Sequence, residues 1–141
     1  MSRLERVTKE TTIVADVRLG TGVSNVVIGD RFLAHMVETL ARYSGLDIDI
    51  EATGDLRHHL VEDVAIVLAQ ALKEELPDGI ARFGSSLIPM DEALVQAAID
   101  VGGRPYYVGK IPSKLYTHFL HSFANNLDAT LHLKVMRGED R

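Results

Sequence analysis

The feature that most constrains the fold is an internal repeat. His35-Met36-Val37-Glu38-Thr39-Leu40-Ala41 lies over His118-Phe119-Leu120-His121-Ser122-Phe123-Ala124 at a constant offset. The same offset places Ile48 and Ile50 over Leu131 and Leu133, and Gly54-Asp55 meets Gly138-Glu139 after a one-residue slip. Each half reads helix, strand, then a Gly-acid turn. A half of this kind has one apolar sheet face and too few helices to cover it. A tandem duplication that buries the helical layers together is therefore the economical solution. Residues 1–78 form the first half-repeat and 79–141 the second, fused as one domain.

Apolar periodicity fills in the halves. Residues 6–19 alternate, with Ile13, Ala15, Val17 and Leu19 on one face, and read as one strand. Gly20-Thr21-Gly22 turns into a second strand, Val23 to Ile28, and the two read as a hairpin. Phe32 to Tyr43 is an amphipathic helix with a stripe of Phe32, Leu33, Met36, Val37, Leu40 and Ala41, closed by Ser44-Gly45. Residues 46–51 alternate as a strand, and a helix runs from about Leu60 to Glu75. The second half adds extended segments at 83–89, 94–101 and 106–108, a helix that follows Pro112 and Ser113 and runs to about Asn126, and a last strand at 129–136. This order predicts an α+β fold with helices on one face of each sheet.

Composition narrows the chemistry. The chain has 141 residues, no cysteine and a net charge of −5, so thiolate sites and disulfides are excluded and a basic nucleic-acid surface is disfavoured. No apolar run reaches the length of a membrane span, and the N-terminus has no apolar signal core, so a cytoplasmic location is expected. Metal chemistry here must use imidazole and carboxylate. Six histidines are present, and two stand together in Arg57-His58-His59-Leu60-Val61-Glu62-Asp63. On a helix, His58 and Glu62 are i,i+4 and His59 and Glu62 are i,i+3, so all three lie on or beside one face. Two imidazoles and a carboxylate suit manganese, iron or zinc. A polar helix start with surface histidines fits the same residues. His35 and His118 occupy equivalent places in the repeat, each at a helix start. His121 and His132 have no repeat mate and read as structural or surface residues.

The motifs run in order along the chain: Arg6-x-Thr8-Lys9-Glu10-Thr11; Phe32-Leu33-x-His35-Met36; Gly54-Asp55-Leu56; His58-His59-x-Val61-Glu62-Asp63-Val64; Gly79 to Gly84; Pro89 to Leu94; Gly103-Arg104-Pro105; His118-Phe119; Thr130-Leu131-His132; and Gly138-Glu139. Together they resemble the imidazoleglycerol-phosphate dehydratase family of histidine biosynthesis. The resemblance implies a duplicated fold like the second domain of ribosomal protein S5, with helices packed between two β-sheets. It implies a lyase that converts imidazoleglycerol phosphate to imidazole acetol phosphate with Mn2+. It further implies a homo-oligomer in which trimers assemble into 24-subunit shells, with sites at subunit interfaces. Carried over, the metal ligands are His35, His58, His59, Glu62 and His118. Glu10 and Glu62 are the catalytic carboxylates, and Glu10, His35, His58 and His59 also line the substrate site. Arg82 and Arg104 grip the phosphate, for which arginine's planar fork is suited. Glu10 also fits a solvent-facing strand residue.

The chain departs from the family pattern at several points. Ala34 stands where the family has Asp, and Thr39 where it has Gln. The approach to the histidine pair is shortened to Gly54-Asp55-Leu56-Arg57, which removes acidic residues and adds a cation expected to weaken or reorient a metal site. The loop between Tyr107 and Lys114 is shorter than usual. A second His-His-x-x-Glu is expected immediately after Arg141, which reads as a truncated chain. The uncovered part of the second sheet is then expected to favour aggregation or an altered assembly. A non-catalytic metal-binding assembly protein with the same fold is the alternative reading.

Overall fold

A computed structural model describes residues 2–138, so Glu139 of the repeat lies outside the described residues. The chain forms two compact units, Met1–Leu76 and Pro77–Arg141. The first contains β1 (Ser2–Val7), β2 (Thr11–Leu19), β3 (Ser24–Ile28), α1 (Arg31–Ser44), β4 (Leu46–Gly54) and α2 (Arg57–Glu75). The second contains β5 (Phe83–Met90), β6 (Ala93–Val101), β7 (Tyr106–Lys110), α3 (Lys114–Leu127) and β8 (Ala129–Arg137). The strand orders are β1-β2-β4-β3 and β5-β6-β8-β7, the same order twice. Both sheets are mixed, with β3 parallel to β4 and β7 parallel to β8. The fold is α+β with duplicated half-domains.

The repeat extends to the helix caps. Asp30 caps α1 by accepting from the Leu33 N–H at 3.1 Å, and Ser113 caps α3 by accepting from the Tyr116 N–H at 3.2 Å. Both helices end on a left-handed residue, Gly45 (φ 79°) and Asp128 (φ 57°). The Gly45 N–H donates to the Ala41 carbonyl at 3.1 Å, which closes the last turn.

Two expectations about the strands are corrected. Residues 6–19 are two strands, because the Thr8 hydroxyl accepts from the N–H groups of Glu10 (3.1 Å) and Thr11 (3.0 Å) and turns the chain. Glu10 therefore sits in a turn. β2 and β3 do not form a hairpin, because β4 lies between them and pairs with both. What holds the β2–β3 connection is Asp47. Its Oδ1 accepts from the N–H groups of Thr21, Gly22 and Val23 at 3.1, 3.1 and 2.9 Å.

The hydrogen bond from Val23, followed by that from Thr21, holds the Asp47 carboxyl below its usual range. A depressed carboxylate contributes stability above its unfolded value, near 3.8, and loses it as pH falls through the folded value. Asp47→Asn is therefore expected to flatten the acid limb of melting temperature against pH below about pH 4. Acid limbs of equal slope in thermal melts would exclude this role.

The expectation that a half has too few helices to cover its own sheet does not hold for the first: its own two helices cover it, α2 over β1 and β2 and α1 over β3 and β4. Ile13, Ala15, Val17, Ile48, Ile50 and Ala52 are accordingly buried. Phe32, expected in the α1 stripe, is 43% exposed. In the second unit, among the described residues, α3 packs chiefly on β7 and β8. β5 is exposed along its whole length, including Phe83, Leu87, Ile88 and Met90.

Candidate functional site

Parallel pairing of β3 and β4 brings the histidine-bearing segments together. Ile28 pairs with Ala52, so both strands leave the sheet at the same end, and α1 and α2 start there side by side. Thr11 pairs with Gly54 on the other side of β4, and the Asp55 N–H donates to the Glu10 carbonyl at 2.9 Å. One end of the first sheet thus collects Glu10, Asp55, the start of α1 with His35, and the start of α2 with His58, His59 and Glu62. Gly54 permits this closeness. A Cβ there would stand 3.1 Å from Thr11 Cγ2 and 3.2 Å from Leu60 Cβ.

α2 begins at Arg57, earlier than apolar periodicity suggests, so both histidines lie in its first turn. His58 and Glu62 are exposed, and His59 is partly so. The two imidazole centroids are 4.2 Å apart. His59 Nδ1 lies 3.0 Å from Asp55 Oδ1. That bond assigns Nδ1 as the donor and leaves Nε2 directed away from Asp55. A carboxylate behind an imidazole is the arrangement that orients metal-binding histidines. The bond to Asp55 also raises the His59 pKa above 6.5 against an opposing effect of burial, with Glu10 and Asp63 adding to it. Asp63 faces inward to other partners: it accepts from Thr11 Oγ1 at 2.6 Å and lies 3.4 Å from Arg6 Nε. Of the adjacent carboxylates, Glu62 is therefore the one open to a ligand.

Arg57 does not stand as a bare cation beside the histidines. Its Nε donates to Asp30 Oδ2, the residue that caps α1. The charge added by the shortened approach is thereby met by a carboxylate. Among the described residues, no three His, Asp or Glu side chains converge closely enough to hold a metal ion. The donor types and the Asp55–His59 bond fit manganese, and completing a coordination shell requires ligands beyond this cluster.

In the second unit His118 is the fifth residue of α3, as His35 is of α1, and both are exposed. Arg82 precedes β5, and Arg104 lies in the β6–β7 turn. Because Phe83 pairs with Asp100 near the end of β6, both arginines belong to the same end of the second sheet. The Thr130 hydroxyl donates to the Arg104 carbonyl at 2.6 Å, which fixes that turn to β8. Arg82 donates through Nε and Nη2 to the two oxygens of Asp100, each at 3.0 Å, and its guanidinium lies 5.2 Å from the Phe83 ring centre. Two of its five N–H donors are used in this way, and the outer edge of the fork remains for an anion. A cleft of about 360 Å³ adjoins it, lined by Phe83, Ser85, Asp100, Thr130 and His132 among others. Asp100 has no signal of its own in the sequence, and His132 reads there as a structural or surface residue. Their signal is strand register, which places them beside Arg82 and Thr130 only once β5, β6 and β8 are paired.

No helix among the described residues is long and apolar enough to cross a membrane. The sequence profile of imidazoleglycerol-phosphate dehydratase matches residues 28–141. The enzyme of that name from Methanococcoides burtonii is 46% identical over 150 aligned positions, covering 95% of this chain and 78% of the relative. That from Geobacter sulfurreducens is 41% identical, with 97% and 78% covered. The crystal structure of the Pyrococcus furiosus dehydratase superposes with a TM-score of 0.86 at 38% identity, covering 97% of this chain and 81% of that one. The Staphylococcus aureus enzyme gives 0.83 at 31%, with 97% and 84% covered. Sequence motifs, duplicated strand order and superposition agree: the chain belongs to the imidazoleglycerol-phosphate dehydratase family, hydro-lyases of histidine biosynthesis.

Proposed function

We propose that this chain is a manganese-dependent dehydratase that converts imidazoleglycerol phosphate to imidazole acetol phosphate and water. The observation that carries the metal reading is the Asp55–His59 hydrogen bond, which presents one of two adjacent imidazoles at the shared start of α1 and α2. His35, His58, His59 and Glu62 are the first unit's residues that would hold the metal, and His118 is the second unit's. Manganese, when bound, supplies Lewis acidity toward a ring nitrogen of the substrate. Glu10, in the turn beside Asp55, removes the proton from the second glycerol carbon as the hydroxyl leaves the adjacent carbon. Arg82 and Arg104 bind the phosphate, with Arg82 held in place by Asp100. A homo-oligomer, in which other copies complete the ligand set, is consistent with a cluster that does not close by itself among the described residues.

The test is turnover. Protein purified with manganese is expected to consume imidazoleglycerol phosphate, to stop after chelation and to resume when manganese is restored. Bound manganese without turnover would sink the enzyme reading and support a non-catalytic metal-binding assembly protein.

A further inference from the structure

A single carboxylate ties together the two helix starts that carry the histidines. Asp30 Oδ1 accepts from the Leu33 N–H at 3.1 Å and caps α1, while Oδ2 accepts from Arg57, the first residue of α2. α2 needs an outside hold there, because its own N-cap position is Leu56, which makes no side-chain cap. A cleft of about 430 Å³ lies at this junction, with Gly29, Asp30, Thr53, Asp55, Arg57 and Leu60 in its walls. The Asp30 side chain is only 9% exposed, so the shared carboxylate is set into the fold and the longer arginine reaches to it.

Burial by itself would raise the Asp30 pKa. The Arg57 guanidinium and the Leu33 N–H outweigh burial and hold the carboxyl below its usual range. The pair is therefore ionised through the neutral range. Arginine's rigid fork suits it to fixing a direction as well as a charge.

We propose that the Asp30–Arg57 pair is a positioning clamp that sets the start of α1, with His35, against the start of α2, with His58 and His59, so that donors from both helices reach one divalent cation. The clamp rests on the metal reading above. It assigns the added cation a role opposite to simple repulsion. Repulsion would lower metal affinity through Arg57. A clamp raises affinity through Arg57, because the guanidinium is already occupied by Asp30 and its rigidity passes to the neighbouring imidazoles.

Manganese affinity of the full chain, read by electron paramagnetic resonance titration, tests this with Asp30→Asn, Arg57→Gln, Arg57→Lys and the double variant Asp30→Asn/Arg57→Gln. Asparagine keeps the cap on α1, so Asp30→Asn removes the ion pair without uncapping the helix. Each of Asp30→Asn and Arg57→Gln is expected to weaken manganese binding about tenfold, as loss of an outer-shell partner does. The double variant should fall no further than the weaker single variant, and Arg57→Lys should recover part of the loss. Hydrogen exchange in the metal-free protein should quicken at residues 57–60 in Asp30→Asn while the middle of α2 stays protected. Tighter binding by Arg57→Gln would overturn the clamp in favour of charge repulsion. Unchanged affinity in all four variants would overturn the clamp and leave the metal reading intact. Failure of the unaltered chain to bind manganese would overturn both.

Discussion

Replacing His59 with alanine is expected to lower bound manganese and to reduce turnover at least about a hundredfold, since loss of an outer-shell partner alone costs ten- to a hundredfold. Asp55 lies behind Nδ1 at 3.0 Å, so the outward nitrogen has a defined direction before any metal arrives. Alanine removes the donor and leaves Asp55 without its imidazole partner. Asp55→Asn is the graded control. It keeps an oxygen at that position and loses the negative charge that makes the imidazole a stronger donor, so a loss of about tenfold is expected. Elemental analysis of protein purified with manganese, paired with the dehydration assay, reads both effects. Unchanged metal content in His59→Ala would remove His59 from the ligand set.

The second large effect is on stability and separates the two units. Ile50 is 1% exposed on β4, a strand paired on both sides and covered by the helices of the first unit. Ile50→Ala is expected to cost about 2–5 kcal/mol, the loss of transfer energy plus an unfilled cavity. Leu133 is its repeat equivalent on β8, but it is only partly buried. Less than half the cost is expected for Leu133→Ala, because a side chain that keeps water contact when folded gains less on burial. Urea unfolding, compared at equal m values, measures the difference. Equal costs at the two positions would show that local cover does not govern stability in this duplicated fold.

The contrast between Ile50 and Leu133 marks the limit of what repetition in a sequence reveals. The two positions align and share a register, as do Asp30 with Ser113 and Gly45 with Asp128. Their surroundings differ because two helices cover the first sheet and α3 covers only part of the second. Local misreadings have equally specific causes. The alternation of residues 6–19 continues through the turn at Thr8, because a side-chain hydroxyl that bends the chain leaves no mark on apolar spacing. The β2–β3 pairing failed because a short connection suggests a hairpin, whereas β4, arriving later in the chain, takes the place between them.

By itself, the sequence determined the duplicated α+β organisation, the helix and strand periods, the family, and the His58-His59-x-x-Glu62 array. Each of these is written in residue types at short or constant spacing, where backbone geometry alone relates one side chain to the next. The tertiary structure decided strand order, the bond of Asp55 behind His59 at the common start of two helices, and the partners of the two arginines. Asp30 and Arg57 are 27 residues apart, and Arg82 and Asp100 are 18. Charges at such separations pair only because parallel or antiparallel strands bring them to the same end of a sheet. That placement turns Arg57 from an apparent liability beside a metal site into a bound partner of the α1 cap.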